Sequence, residues 1–434
     1  MLLAPFGSRG IVRPGSIATG SISPTRGAAA GELSRPAFQP LTWWLLERFR
    51  RFVGAVPLRI ELWNGIACDL SDEPPCATVA VRNLGALLRM ALSPARSFGE
   101  AYAAGDIEVR GSLAEGLVRI FERWPQSSSP PLRRLRAGSH VLRRARRRAQ
   151  HHYDLGNDFY RLWLDERLVY TCAYFASPEL SLEEAQLAKL DYVCRKLRLR
   201  PGERVLEAGC GWGALARHMA ARYGVHVTAC NVSQEQVRYA REQAAREGLS
   251  ERVQFLEDDF RNVGGCFDAF VSVGMLEHVG RENYGELGRV IHERLDPTHG
   301  RGLLHFIGRN RPLALNSWVK RRIFPGAYPP TPGEVLTTVL EPWDFSVLDL
   351  ENLRLHYMRT LQHWRSRFES SVEHAASLFD PAFVRSWRLF LAGSEAAFAA
   401  GWLQLFQVGF ARGRDNELPW TRAGLYCEAE HAEL

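Results

Sequence analysis

The stretch 205-VLEAGCGWGALA decides the fold. An apolar run ends in Glu207-x-Gly209-x-Gly211-x-Gly213 and gives way to small helix-forming residues, the pattern of a buried strand that turns sharply into a helix. Glycines at such a turn let the backbone approach a ligand, and the helix N-terminus behind them can meet its charged part. Spacing alone leaves the ligand open. Gly209, Gly211 and Ala214 also satisfy the dinucleotide pattern G-x-G-x-x-G/A, and a tight turn serving only the fold is a third reading. Against a nicotinamide cofactor, the next apolar run ends in Cys230 and Asn231, where a ribose-binding Asp or Glu would normally stand.

Outward from this loop, the chain after Gln150 alternates strands with helices, which argues for a parallel sheet covered on both faces. Strands are expected at 204–208, 225–230, 253–257, 267–273 and 302–307. Residues 346–350 and 403–410 would add a hairpin-like pair at the sheet edge, separated by two amphipathic helices. Upstream, residues 57 to 130 alternate short strand-like runs with 98-FGEAYAAGDIEVRG, whose Gly99, Gly105 and Gly111 read as turns. A helix from Thr42 would put Leu45, Phe49 and Phe52 on one face, packed on its own small domain or lying on a membrane surface. The expected organisation is a disordered tail (1–38), an amino-terminal α+β domain (39–130), a basic linker (131–150) and the chemistry-bearing domain (151–434).

The 434 residues, 46% hydrophobic and 24% charged, can bury sizeable cores, and no apolar run approaches the length of a membrane-spanning helix. The net charge of +7 is carried almost wholly by arginine, since Lys189, Lys196 and Lys320 are the lysines. Eight arginines crowd residues 132–150; without interleaved aromatics they read as a solvated linker helix or a contact with anionic lipid headgroups, and no nucleic-acid partner is expected. Eight scattered cysteines, with no CxxC pair, suggest a reducing cytosol, with neither a disulfide frame nor a metal site.

Glu207 immediately before the glycines fits S-adenosylmethionine methyltransferases, whose first motif reads acid-x-Gly-x-Gly-x-Gly. The resemblance sharpens over residues 40 to 426, where the chain is similar to the cyclopropane-fatty-acyl-phospholipid synthase family. Four separated motifs carry it: 151-HHYDLGNDFYRLWLDERLVYTCAYF, 205-VLEAGCGWGALA, 271-VSVGMLEHVGRENY and 303-LLHFIGRNRP. Further agreement comes from 323-IFPGAYPP, the region around Tyr357, 392-AGSEAAFAAGWLQLFQVGFARG and the amino-terminal FGEAYAAGDIEVRG. The resemblance implies a class I Rossmann-like methyltransferase sheet of seven mostly parallel strands under a helical acyl-chain cover. By that resemblance Gly209, Gly211 and Gly213 wrap the methionine part of the cofactor, and Tyr153, Tyr170 and Thr171 close over it. Asn231 and Gln236 meet the ribose, and Phe260 takes the place of the adenine-facing aromatic.

The implied reaction converts the cis double bond of an unsaturated phospholipid acyl chain to a cyclopropane. An alkene that attacks a sulfonium methyl becomes a carbocation, and ring closure then needs a base in a site that excludes water. In the resembled family that base is a bound bicarbonate, held by the Cys172 backbone, Glu277, His305, an Ile307 backbone group and Tyr357. Each has a plainer reading taken singly: Cys172 as a buried thiol, His305 as a bonded core histidine, Tyr357 as packing beside Leu361, Trp364 and Phe368. Trp364, Phe368, Phe390 and Phe398 are candidates for the acyl tunnel. The family likeness further implies membrane phospholipids as partners, a peripheral cytoplasmic enzyme at the inner face of the membrane, and admits a homodimer. Rival readings are a methylene- or methyl-branching fatty-acyl methyltransferase, a small-molecule N-methyltransferase and a lipid-binding homologue without turnover.

Overall fold

The protein, seen as a computed structural model, is described over residues 39–123 and 155–426. The expected tail, the basic linker, Tyr153 and Cys427 lie outside the described residues. In the first region, four strands form a sheet of order β2-β1-β3-β4: β1 (Leu58–Leu62), β2 (Ala67–Asp69), β3 (Ala77–Val81) and β4 (Ile107–Gly111). β1 and β3 both alternate buried with half-buried residues, the period of a sheet with one covered face. The helix Gln39–Val53 buries Leu45 and Phe49, whereas Phe52, Trp43 and Trp44 are exposed.

The second region holds a seven-stranded sheet of order β10-β11-β9-β8-β5-β6-β7. Its strands are β5 (Arg204–Ala208), β6 (His226–Asn231), β7 (Val253–Glu257), β8 (Ala269–Val273), β9 (Arg301–Gly308), β10 (Phe345–Asn352) and β11 (Gln404–Arg412). β5 to β9 pair in parallel, and β11 runs antiparallel to both β9 and β10. The chain therefore reverses strand order beside β5, and the crevice at the carboxyl ends of β5 and β8 is where an open α/β sheet receives a ligand. The last pair is not a simple edge hairpin: β11 inserts between β9 and β10, so only β10 is outermost. Three helices rather than two intervene, Arg354–Ser370, Val372–Leu378 and Pro381–Ala399, because Asp380 and Pro381 start a new helix after a short break.

The long Pro381–Ala399 helix joins the two regions. Arg385 donates from Nε to the Tyr102 carbonyl and from a terminal nitrogen to that of Ile107, both at 2.6 Å, with its guanidinium 4.4 Å from the Tyr102 ring centre. Trp402 Nε1 donates to the Phe121 carbonyl at 2.8 Å, and Arg322 pairs with Glu100 at 2.6 Å. Gly105 does sit at a turn with positive φ, but Gly111 is the last paired residue of β4, also with positive φ, and Gly99 lies inside the helix Pro94–Ala103. It is glycine for packing: a Cβ there would stand 2.6 Å from the buried indole of Trp318. Gly99→Ala therefore sets a helix-propensity gain of about 1 kcal/mol against an overpacking cost of about 1–3 kcal/mol. A lower melting temperature is expected in calorimetry; an increase would mean that Trp318 moves aside freely.

Candidate active site

β5 is flanked on both sides, so its run from Val205 to Ala208 is wholly buried, and it delivers Glu207 to the crevice at 3% exposure. The loop that follows is pinned to β6 by the Gly209 and Cys210 amides, which donate to the Cys230 carbonyl at 2.9 and 3.2 Å. The three glycines divide their work. A Cβ on Gly213 would strike Phe255 and Ala240, so this residue lets the helix Ala214–Tyr223 pack closely and does not line the cavity, a correction to its expected place around the cofactor. Gly211 differs, with φ +55 and open space where its Cβ would be, facing the cavity. Beside it Asn231 Nδ2 donates to Gln236 Oε1 at 2.7 Å, which sets both carboxamides at the rim. Phe260 is not on the cavity wall; it packs in the core cluster with Leu206 and Cys230, with the Arg261 guanidinium 5.3 Å from its ring centre.

One continuous cavity of about 790 Å³ runs from this cradle to the amino-terminal sheet. Its walls bring together Tyr170, Thr171, Cys172, Glu207, Gly209, Gly211, Asn231, Gln236, Glu277, His305, Ile307 and Tyr357, the described residues marked in the sequence apart from Gly213 and Phe260. Trp364, Phe390 and Phe398 line it too, whereas Phe368 is sunk in the aromatic cluster around Phe159. At the far end Phe49, Leu58, Val79 and Leu117 of the amino-terminal region complete an apolar wall.

Glu277 sits in the one-turn helix Leu276–Val279 immediately after β8, nine-tenths buried. Its Oε1 accepts from the Ile307 amide at 2.5 Å, while Oε2 is buried without a hydrogen-bond partner. Burial outweighs that bond and pushes the carboxyl up to about 7. The Ile307 N–H is thereby spent on Glu277 rather than left open to an ion. Across the antiparallel register His305 faces Gln407, whose Nε2 lies 3.0 Å from His305 Nδ1. With the carboxamide so placed it donates to Nδ1, and the ring proton sits on Nε2, which is buried and otherwise unpartnered. Burial holds the imidazole neutral, well below its ordinary value. Cys172 is fully buried and its thiol is pushed up, so it is no thiolate; its Sγ donates to the Ala173 carbonyl at 3.1 Å. The Tyr357 ring stands edge-on to Trp364 at 5.8 Å and 4.6 Å from Phe398.

Two residues that the sequence left unremarked as site residues support this arrangement. Lys189 is buried on the helix Leu182–Leu197, pushed down to about 8 by desolvation, and donates to Thr171 Oγ1 at 3.0 Å. Since an ammonium only donates, Thr171 must accept there, and its own O–H is free to turn toward the cavity. Gln186 donates to the Thr171 carbonyl at 2.8 Å and fixes the same segment. Lysine's rarity was the available signal for Lys189; for Gln407 it was a lone carboxamide in the apolar run LQLFQVGF.

A strand order with the crossover at β5, a glycine cradle open at Gly211 and a buried acid ahead of it define a class I S-adenosylmethionine-dependent methyltransferase. The chain belongs, more narrowly, to the mycolic acid cyclopropane synthetase family, whose model matches residues 140–408. A probable fatty acid methyltransferase of Pseudomonas putida is 36% identical over 388 residues, covering 86% of this chain and 96% of that protein. The cyclopropane-fatty-acyl-phospholipid synthase of Escherichia coli K12 is 40% identical over 272 residues, 62% of this chain and 69% of that protein. The crystal structure of the mycolic acid cyclopropane synthase CmaA1 complexed with SAH and CTAB superposes with a TM-score of 0.58 at 29% identity, covering 62% of this chain and 98% of that one.

Two measurements follow from the cradle. Gly211→Ala costs the fold about 1–2 kcal/mol for its left-handed backbone but places a methyl in the ligand's path, so S-adenosylmethionine affinity should fall at least about tenfold by calorimetry. Unchanged affinity would move the cofactor elsewhere. Glu207, pushed up to about 8 by burial and carrying an unpartnered Oε2, is mainly protonated at neutral pH. A cationic ligand beside it favours the carboxylate, so binding should release a proton and affinity should rise from pH 6 to pH 8. Glu207→Gln should abolish that dependence, and an affinity equally steep in the variant would assign the proton to another group.

Proposed function

We propose that the protein converts the cis double bond of unsaturated acyl chains in phospholipids to a cyclopropane, acting at the cytosolic face of a membrane. The observation that carries this reading is one continuous, mainly apolar cavity in which Glu277, His305 and Tyr357 meet aromatic walls and open onto the glycine cradle. The name of the E. coli relative supports a phospholipid substrate, and that of the P. putida relative a fatty-acyl one.

S-adenosylmethionine, held by Gly209, Gly211, Asn231, Gln236 and Thr171, supplies an electrophilic methyl group on a sulfonium. The chain's own residues prepare the other side. Tyr357, Trp364, Phe390 and Phe398 supply aromatic rings whose faces can stabilise positive charge developing on the lipid, and their bulk leaves less room for the water that would trap it. Closing the ring requires a proton to leave the newly attached carbon. Glu277, near 7 and with Oε2 unpartnered, can hold a proton at neutral pH without the cost of a fixed buried charge. The donor set also fits a bicarbonate, which would supply a compact base: His305 Nε2–H, the Tyr357 hydroxyl and the Cys172 amide would donate to it, and Glu277 Oε2 would accept its O–H.

Membrane contact is supported by an exposed apolar patch on the amino-terminal region. Trp43, Trp44 and Leu92 are half or more exposed, and Arg48 ties their helices by donating to the Ala91 carbonyl at 2.9 Å while lying over the Trp44 ring. No helix among the described residues is long and apolar enough to cross a membrane.

The test is expression in a host lacking its own synthase, with the lipids read by proton NMR, because a cyclopropane and a methylene-branched chain are isomers. Upfield ring-methylene signals are expected; a branched product would replace the ring-forming reading with its rival. At matched folding and cofactor affinity, Glu277→Gln should lower ring formation by about 100- to 10,000-fold, and Tyr357→Phe by about 10- to 1,000-fold. Both variants retaining full activity would end the case for a base at this site.

A further inference from the structure

Four arginines are buried among the described residues, Arg217, Arg301, Arg309 and Arg412. Three are accounted for. Arg217 pairs with Glu247; Arg301 meets Glu203 and the Leu197 and Arg198 carbonyls; Arg412 donates to the carbonyls of His292, Leu295 and Asp296. Arg309 is the exception. It is 8% exposed, no ion pair holds its guanidinium among the described residues, and its Nε is buried without a hydrogen-bond partner. It also lines the cavity.

Leaving a guanidinium out of water without a partner costs several kcal/mol. Desolvation pushes Arg309 down to about 10, which still leaves it protonated at neutral pH. A residue that keeps its charge in such a place, with no ion pair of its own, is suited to meet the anionic group of a ligand that enters the cavity.

Its position says which part of the ligand would supply that anion. His305, Ile307 and Arg309 project from one face of β9 and its extension, so Arg309 follows His305 by four residues, or about 13 Å along an extended strand. The glycine loop follows β5, two parallel strands to the side at the level of His305, about 10 Å across the sheet. The chain that follows Arg309 adds a mostly apolar stretch to the cavity wall, with Leu313, Leu315, Trp318 and Phe324. The anion is thus remote from the cofactor cradle, separated from the reacting centre by a span of the order of a glycerol ester and half an acyl chain, and bordered by surface suited to methylenes.

We propose that Arg309 anchors the phosphodiester of the lipid substrate and so sets which stretch of acyl chain reaches Glu277 and His305. The proposal rests on the phospholipid reading of the site and adds the group that recognises the headgroup. Because the recognised chemistry is the phosphodiester, phosphatidylglycerol and phosphatidylethanolamine should depend on Arg309 alike.

The experiment compares dioleoylphosphatidylglycerol with dioleoylglycerol, which has the same acyl chains and no phosphate, in mixed detergent micelles with the full chain and S-adenosylmethionine. Wild-type enzyme should prefer the phospholipid. Arg309→Met should lower kcat/KM on the phospholipid by about 10- to 100-fold, the worth of one charge-assisted contact, and on dioleoylglycerol by no more than about threefold. Arg309→Gln should behave as Arg309→Met does, and Arg309→Lys should keep part of the preference. An unchanged preference in the neutral variants, or an equal loss on both lipids at matched folding and cofactor affinity, would overturn the anchor. Wild-type enzyme that modifies neither lipid would overturn the phospholipid reading, and the anchor with it. Inorganic phosphate should leave the dioleoylglycerol rate unchanged; an activation that Arg309→Met lacks would assign the site to a free ion and overturn the lipid assignment.

Discussion

Desolvation is the constraint on which this site depends. Lys189, Glu207, Glu277, His278, His305 and Arg309 all line one cavity walled by apolar and aromatic side chains. Each is displaced toward its uncharged form: the carboxyls rise, the imidazoles and the ammonium fall. Arg309 stays firmly charged near neutral pH, and Lys189, at about 8, stays mainly so. A cavity arranged in this way carries little fixed charge of its own, and so can admit hydrocarbon at one end and ionic ligands at the other. The same burial that would be costly for permanent ions makes Glu277 and Glu207 responsive to whatever binds beside them.

The amino-terminal region takes part in that exclusion of water. Its sheet and helices supply one end of the cavity wall; Arg385 and Trp402 hold it against the segment between β10 and β11, and the Gly99–Trp318 contact holds it against the helix Ser317–Arg322 that follows β9. The covering helices therefore face two ways. The Arg354–Ser370 helix brings Tyr357, Leu361 and Trp364 to the cavity, while Phe368, farther along, joins the aromatic cluster of Phe159, Phe379 and Trp387. Packing of ring edges against ring faces gives this cover a defined shape where aliphatic side chains alone would leave it loose.

The sequence made the parallel core legible because β5 to β9 are short apolar runs bounded by turns, and the glycine loop announces itself by residue type. The residues that line the cavity were legible through motif resemblance, with Gly213 and Phe260 marked there and found elsewhere. What it concealed is what depends on neighbours remote in sequence. Gly99 reads as a turn until Trp318, more than two hundred residues later, is seen against it. Gly213 and Gly211 have the same spacing and the same letter, yet one accommodates Phe255 and the other a ligand. Gln407 and Arg309 lie within stretches that carry the resemblance but stand out there by no feature of their own; one is defined by its cross-strand partner and the other by the absence of an ion pair among the described residues.

The hydrogen bond between Gln407 and His305 joins residues 102 apart in the chain. It exists only when β11 has threaded between β9 and β10, a pairing of high contact order that ranks among the slow events of folding. The glycine cradle, built from β5, β6 and the turn between them, needs no such closure. The cradle thus rests on pairing between strands that follow one another in the chain, while the orientation of His305 rests on the last strand of the sheet, so the two halves of one cavity draw on parts of the sequence that lie far apart.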